Sequence, residues 1–128
     1  MKNEIRQWID YAEENFISAK CLLGNDLYNP CLQNVQQCIE KALKALLIEK
    51  SIKLKRTHSI VELKNIMAKN KIEIEITEDD CEFLDSIYIP SKYPLSSVLP
   101  HFEPDVQICN KGISIASQVF DLVKNLLK

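Results

Sequence analysis

Gln37, Lys41 and Lys44 follow one another at three-and-four spacing in the stretch CLQNVQQCIEKALKALLIEK, which runs from Cys31 to Lys50. On a helix this spacing makes them neighbours. Two ammonium groups beside an amide suit a phosphate or a nucleotide base, because ammonium supplies charge while the amide offers a paired donor and acceptor. The same positions admit a plainer reading, in which Gln33, Gln37, Glu40, Lys41 and Lys44 form a solvated helix face with Glu40 and Lys44 as an ion pair. His58 stands between Thr57 and Ser59, where it can act as an acid or base or simply make structural hydrogen bonds at a helix start. Tyr93 can stack on a base or hold its proline-rich surroundings against the rest of the fold. No residue is assigned a catalytic role.

These side chains need a scaffold, and the stretch from Cys31 to Lys50 supplies its main element. Leu32, Val35, Ile39, Ala42, Leu43, Leu46 and Leu47 recur as one apolar helix face. Gln36 lies on that same face. An unpaired buried amide costs roughly 1–3 kcal/mol, so something polar must approach the helix, and Gln36 is expected to organise a buried or dimer-interface hydrogen-bond network.

The remaining elements follow from periodicity and stop signals. Ile5, Trp8, Ala12, Phe16, Ala19 and Leu23 mark a first helix from about Asn3, closed by Gly24 and Asn25, with Asn15 at the edge of its stripe. Pro30 suits the start of the second helix. The span from His58 to Lys69 reads as a short third helix capped by Thr57 or Ser59. Lys71 to Ile76 reads as an extended connector, since a lone strand would leave its backbone edges unsatisfied. Thr77 and Asp80 resemble a capping pair that opens a fourth helix, expected to end before Pro90. Four prolines from Pro90 to Pro104 predict an irregular loop of the kind that often carries function. The last helix, about Asp105 to Leu127, is apolar over so wide an arc that it must be central to the fold or buried at a second interface, and a homodimer contact is favoured.

Composition sets the outer limits. The chain has 128 residues, 46% of them hydrophobic, and only two glycines. This predicts one all-α domain over residues 1–128, a bundle of four to five helices. A net charge of -2 excludes a globally basic surface, so any nucleotide contact must be local. Five cysteines without a C-x-x-C pair predict small buried hydrophobes in a reducing, cytoplasmic setting rather than a disulfide framework. The Cys and His spacing fits no familiar zinc pattern, and no metal or cofactor is expected. No apolar run approaches membrane-spanning length.

Taken in order, YAEENFISAKCLL, CLQNVQQCIEKALKALL, THSIVEL and SKYP resemble the HEPN domain, named for higher eukaryotes and prokaryotes nucleotide-binding. The resemblance covers nearly the whole chain and implies an up-and-down bundle, usually dimeric, with a polar groove near the second helix. In this family, ribonuclease toxins carry an arginine with a histidine four to six residues beyond it. Here Lys92, Tyr93 and Pro94 stand where related non-toxin members often show Arg-Tyr-Pro, and His101 is too distant to complete the pair. The resemblance therefore implies a nucleotide-binding protein that serves as the substrate-binding partner of a separately encoded minimal nucleotidyltransferase, in a toxin–antitoxin-like module. In that reading Lys41, Lys44 and Lys92 contact phosphates, Gln37 and Tyr93 contact a base, and His58 completes the site. The alternatives are a metal-independent RNase-like toxin, using His58 or His101 with Lys92, and a bundle that only seats a protein partner.

Overall fold

The computed structural model describes the backbone of residues 2–92 and 104–128 and, within these, the side chains of all but 89–92. The described residues form helices α1 (Asn3–Gly24), α2 (Tyr28–Glu49), α3 (Ile60–Lys69), α4 (Glu78–Lys92) and α5 (Val106–Leu126), with no strand among them. The all-α bundle expected from composition is the observed fold. Residues 72–77 connect α3 to α4 without regular secondary structure, while Lys71, expected to open the connector, belongs to the turn that closes α3.

The helix ends explain how a chain with two glycines turns so sharply. After α1, α2 and α3 the residues Asp26, Ser51 and Lys71 adopt φ of 58°, 59° and 60°. The next amide then reaches back to close the last turn: Leu27 to Leu22, Ile52 to Leu47 and Ile72 to Met67, each at 2.9 Å. This is the Schellman closure, here built three times without glycine at the left-handed position. The starts of α3, α4 and α5 are capped by side chains, while those of α1 and α2 are not. Ser59 Oγ accepts from the Glu62 amide, Asp105 from Ile108, and Thr77 Oγ1 from Asp80. Of the two expected caps for α3, Ser59 is the one used, while the Thr57 hydroxyl accepts from the Ser59 amide.

Two expectations need correcting. α4 continues through Pro90 to Lys92. Proline removes one amide donor and crowds the preceding turn, but its ring already holds a helical φ, so a terminal turn passes through it at the loss of one hydrogen bond. Second, the helix most enclosed by others is α2. It packs against α1, α3, α4 and α5, and burial extends around it to Gln36, Glu40 and Lys44. The solvated face expected for Glu40 and Lys44 is covered. α5 lays Cys109, Gly112, Ile115, Ala116, Val119, Phe120 and Val123 into the core, so most of its wide apolar arc is absorbed within the chain. Gly112 permits this close approach, since a Cβ there would meet Val35 Cγ1 at 3.1 Å.

The cysteines behave as small hydrophobes: Cys31, Cys38, Cys81 and Cys109 are buried, and Cys21 is exposed. Burial pushes the Cys31 and Cys38 thiols up to about 12, with the neighbouring Cys109 adding to the effect at Cys31. Among the described residues, no helix is long and apolar enough to cross a membrane.

Candidate functional site

Gln36, Glu40 and Lys44 succeed one another at four-residue steps and so form one line along α2. All three are buried, so their polar groups must find partners within the fold. Lys44 Nζ lies 3.0 Å from Glu40 Oε2, and both residues are less than a tenth exposed. Gln36 Nε2 uses both of its hydrogens, one toward the His58 carbonyl at 2.6 Å and one toward Glu40 Oε1 at 3.3 Å. Gln37 Nε2 then donates to Gln36 Oε1 at 2.8 Å, tying a partly exposed residue to the buried amide. Among the described residues no buried side-chain nitrogen or oxygen lacks a partner.

His58 is where this network meets solvent. Its Nδ1 sits 2.9 Å from Glu40 Oε1, yet its side chain is 59% exposed. With Lys44 supplying the countercharge, Glu40 is an acceptor, so Nδ1 carries the proton and donates it. This fixes the ring and leaves Nε2 as the outer nitrogen, able to accept or to donate with its protonation state. The ring stacks on Tyr88, with centroids 5.2 Å apart and planes inclined by 28°. Beside it His58, Ser59, Asp85 and Tyr88 line an open cavity of about 290 Å3. Asp85 is held by the first turn of α3: Ser59 Oγ donates to it at 2.6 Å and the Ile60 amide at 2.6 Å, with the Val61 amide at 3.3 Å. An anion fits that helix start because the terminal amides have no partner within the helix.

Lys41 serves a different neighbourhood. Its ammonium donates to Asn15 Oδ1 at 2.8 Å, and Asn15 donates in turn to Asn34 Oδ1 at 2.9 Å. Asn34 closes the series on the Pro30 carbonyl. The Tyr11 ring lies 5.9 Å from the same ammonium. The structure thus divides the predicted trio. Gln37 and Lys44 join His58 through Gln36 and Glu40, while Lys41 turns to α1. The side chain of Lys92, and Tyr93, Pro94 and His101, lie outside the described residues.

Sequence reasoning paired Glu40 with Lys44 but placed the pair on a solvated face, and it did not single out Asp85. Glu40 had a legible signal, since it stands four residues from both Gln36 and Lys44 on a helix otherwise rich in buried positions. Asp85 had none, because its partners are 24 to 26 positions away in the chain.

Known proteins share this architecture. A solved structure of TT1696 from Thermus thermophilus superposes with a TM-score of 0.79 at 25% identity, covering 97% of this chain and 98% of that one. The archaeal HEPN homologue ST0689 superposes with a TM-score of 0.72 at 24% identity over the full length of both, which speaks for the fold alone. The class is therefore an all-helical bundle of the HEPN type. The HEPN domain profile matches residues 5–126, and the chain belongs to that family. In sequence it is 30% identical over 134 aligned positions to the protein named "Putative toxin MJ1304" of Methanocaldococcus jannaschii, covering 94% of this chain and 86% of that protein. A second protein of that organism, "Putative toxin MJ0605", is 31% identical over 75 positions, 59% of this chain and 56% of that protein.

Proposed function

We propose that this HEPN protein binds a nucleotide beside His58 and acts as the substrate-binding partner of a separately encoded minimal nucleotidyltransferase. The observation that carries the reading is the outward-facing His58, locked by buried Glu40 and stacked on Tyr88 beside a cavity sized for a small ligand. A ring with one fixed nitrogen offers a base both a stacking edge and a hydrogen-bond partner. Gln37 adds an amide anchored from behind by Gln36. Lys41, whose partner is a neutral amide, keeps its charge for a phosphate. Lys44 acts through Glu40 and is a positioning residue rather than a contact, and Lys92 and Tyr93 keep the phosphate and base roles proposed from the resemblance. Glu40 and Asp85 are both engaged in structural hydrogen bonds, so metal-dependent transfer would draw its carboxylates from the partner. The exposed Val106 and Leu126 at the two ends of α5 are where a homodimer contact would fall.

Titration calorimetry with mononucleotides tests the reading. Saturable heat that is lost in His58→Ala, with the fold intact, is the expected result. No heat with any common nucleotide would leave a bundle that only seats a protein partner.

A second reading rests on the same histidine and on the names of the relatives. An imidazole held by a buried carboxylate can exchange a proton with a ribose hydroxyl through Nε2, as a metal-independent RNase-like toxin would require. RNA cleavage that survives stringent purification and vanishes in His58→Ala would favour it.

A further inference from the structure

The segment that delivers the chain from α2 to His58 has a charge pattern unlike the rest of the molecule. From Lys50 to Val61 it carries Lys50, Lys53, Lys55 and Arg56 and no carboxylate, in a protein whose net charge is -2. Residues 52–55 of the strap carry no regular secondary structure and alternate in burial: Ile52 and Leu54 pack against the core as partly buried side chains, while Lys53 and Lys55 are exposed. A bend at Arg56 follows, held by the Thr57 amide donating to the Lys55 carbonyl, and leads straight to His58.

The carboxylates around the site are already committed. Glu62 takes Lys55, Glu40 takes Lys44, and Asp85 takes the first turn of α3. Lys53 and Arg56 are exposed and have no ion pair or hydrogen bond among the described residues. The surface beside His58 therefore carries uncompensated positive charge spread over several residues of the strap. A mononucleotide at His58 would leave most of it unused. A linear polyanion continuing outward from the cavity would use it.

We infer that Lys53 and Arg56 form a second, phosphate-tracking subsite, and that the ligand is a single strand of nucleic acid several nucleotides long with one nucleotide seated at His58. The inference rests on the nucleotide site proposed above for its anchor, but the strap makes its own contacts. Each phosphate neutralised on a single strand contributes about 0.7 to the slope of log affinity against log salt. Removing two contacts flattens the slope by about 1.4, equivalent to roughly 25-fold in affinity at 0.1 M salt.

The test measures binding of AMP and of a labelled hexanucleotide, as RNA and as DNA, to the wild type, to K53A/R56A and to His58→Ala across a salt series. Thermal unfolding of K53A/R56A should match the wild type, because neither side chain has a partner to lose. The expected result is a hexanucleotide bound at least tenfold tighter than AMP, an advantage that K53A/R56A removes together with the extra salt slope while AMP binding stays unchanged. Equal binding of AMP and hexanucleotide, or a hexanucleotide slope unchanged in K53A/R56A, overturns the strap subsite and leaves the nucleotide site standing. No AMP binding by the wild type, or AMP binding unchanged in His58→Ala, with strap-dependent hexanucleotide binding intact, overturns the site at His58 and keeps the strap. Polyglutamate competing as well as the oligonucleotide would make the strap a contact for an acidic protein and would also overturn the inference.

Discussion

Two lysines one helical turn apart on α2 meet opposite fates. Lys44 is buried against Glu40, inside a network that includes Gln36 and His58. Lys41 is partly exposed and donates to Asn15, which leans on Asn34. Sequence spacing treats the pair as equivalent phosphate contacts, but their partners separate them. A carboxylate cancels the charge of Lys44 and binds it to the fold, whereas an amide only orients Lys41 and leaves its charge in place. The inner cluster is the machinery that fixes His58, and the outer series is a surface available to a ligand.

The sharpest way to break this distinction is Glu40→Ala. It would strand a buried ammonium and release the His58 ring together, and losing one partner of a buried pair costs about 3–5 kcal/mol. Urea unfolding should show that loss, with His58 no longer held. Lys44→Ala should also destabilise the fold, so weaker ligand binding in that variant would not by itself mark Lys44 as a contact. Replacing both partners by apolar residues of similar volume should restore much of the stability while leaving His58 without its orienting carboxylate. If Glu40→Ala unfolds at the same urea concentration as the wild type, the inner cluster does not position anything.

Gln36→Leu comes next. It leaves the His58 carbonyl and the Gln37 amide without their partner, at a cost of about 1–3 kcal/mol. Lys41→Ala sits below that: a partly exposed bond to a neutral amide contributes about 1 kcal/mol or less, so stability should barely move while nucleotide affinity falls. A large stability loss in Lys41→Ala with unaltered binding would reverse the roles assigned to the two lysines.

The buried thiols give the comparison a pH axis. Cys31 and Cys38 are raised by burial from 9.0 to about 12, so the folded state holds these protons where the unfolded chain releases them. Their stabilising effect is complete below about pH 9 and is lost as the pH rises toward 12. Denaturant midpoints should fall through that window, and should fall less in Cys38→Ala. A thiol reagent at neutral pH should label Cys21 in the native protein and reach the others only on unfolding.

How much of this was legible in the chain varied with the range of the interaction. Helices α1, α2, α3 and α5, and the caps at Ser59 and Thr77, follow from local periodicity and side-chain chemistry, and Gln36 in an apolar stripe announced a buried network. The family was legible because several short motifs stood in order. What local pattern could not supply was enclosure. Whether Glu40 and Lys44 face water depends on how the other helices pack around α2, an arrangement fixed by distant residues such as Asp85. Spacing paired Lys44 with Glu40 along α2, yet that Lys41 turns to an amide was decided by Asn15 on another helix.

The smallest effect tests the strap, where an exposed ion pair replaces a buried one. Hydrogen bonds from Lys55 and then Thr57 hold the Glu62 carboxyl below the usual carboxylate range. The folded state thus binds fewer protons than the unfolded chain in mild acid, and the pair adds stability above the unfolded value that is lost as the pH falls through the folded one. Because the carboxylate is open to solvent, salt screens the effect and the contribution is slight. Glu62→Gln should therefore leave stability near neutral pH almost unchanged and flatten its fall on acidification. The same substitution frees Lys55 beside Lys53 and Arg56, so it should also strengthen hexanucleotide binding and steepen its salt dependence, opposite to the effect of K53A/R56A. Weaker oligonucleotide binding in Glu62→Gln would show that the pair holds the strap in shape rather than merely cancelling one of its charges.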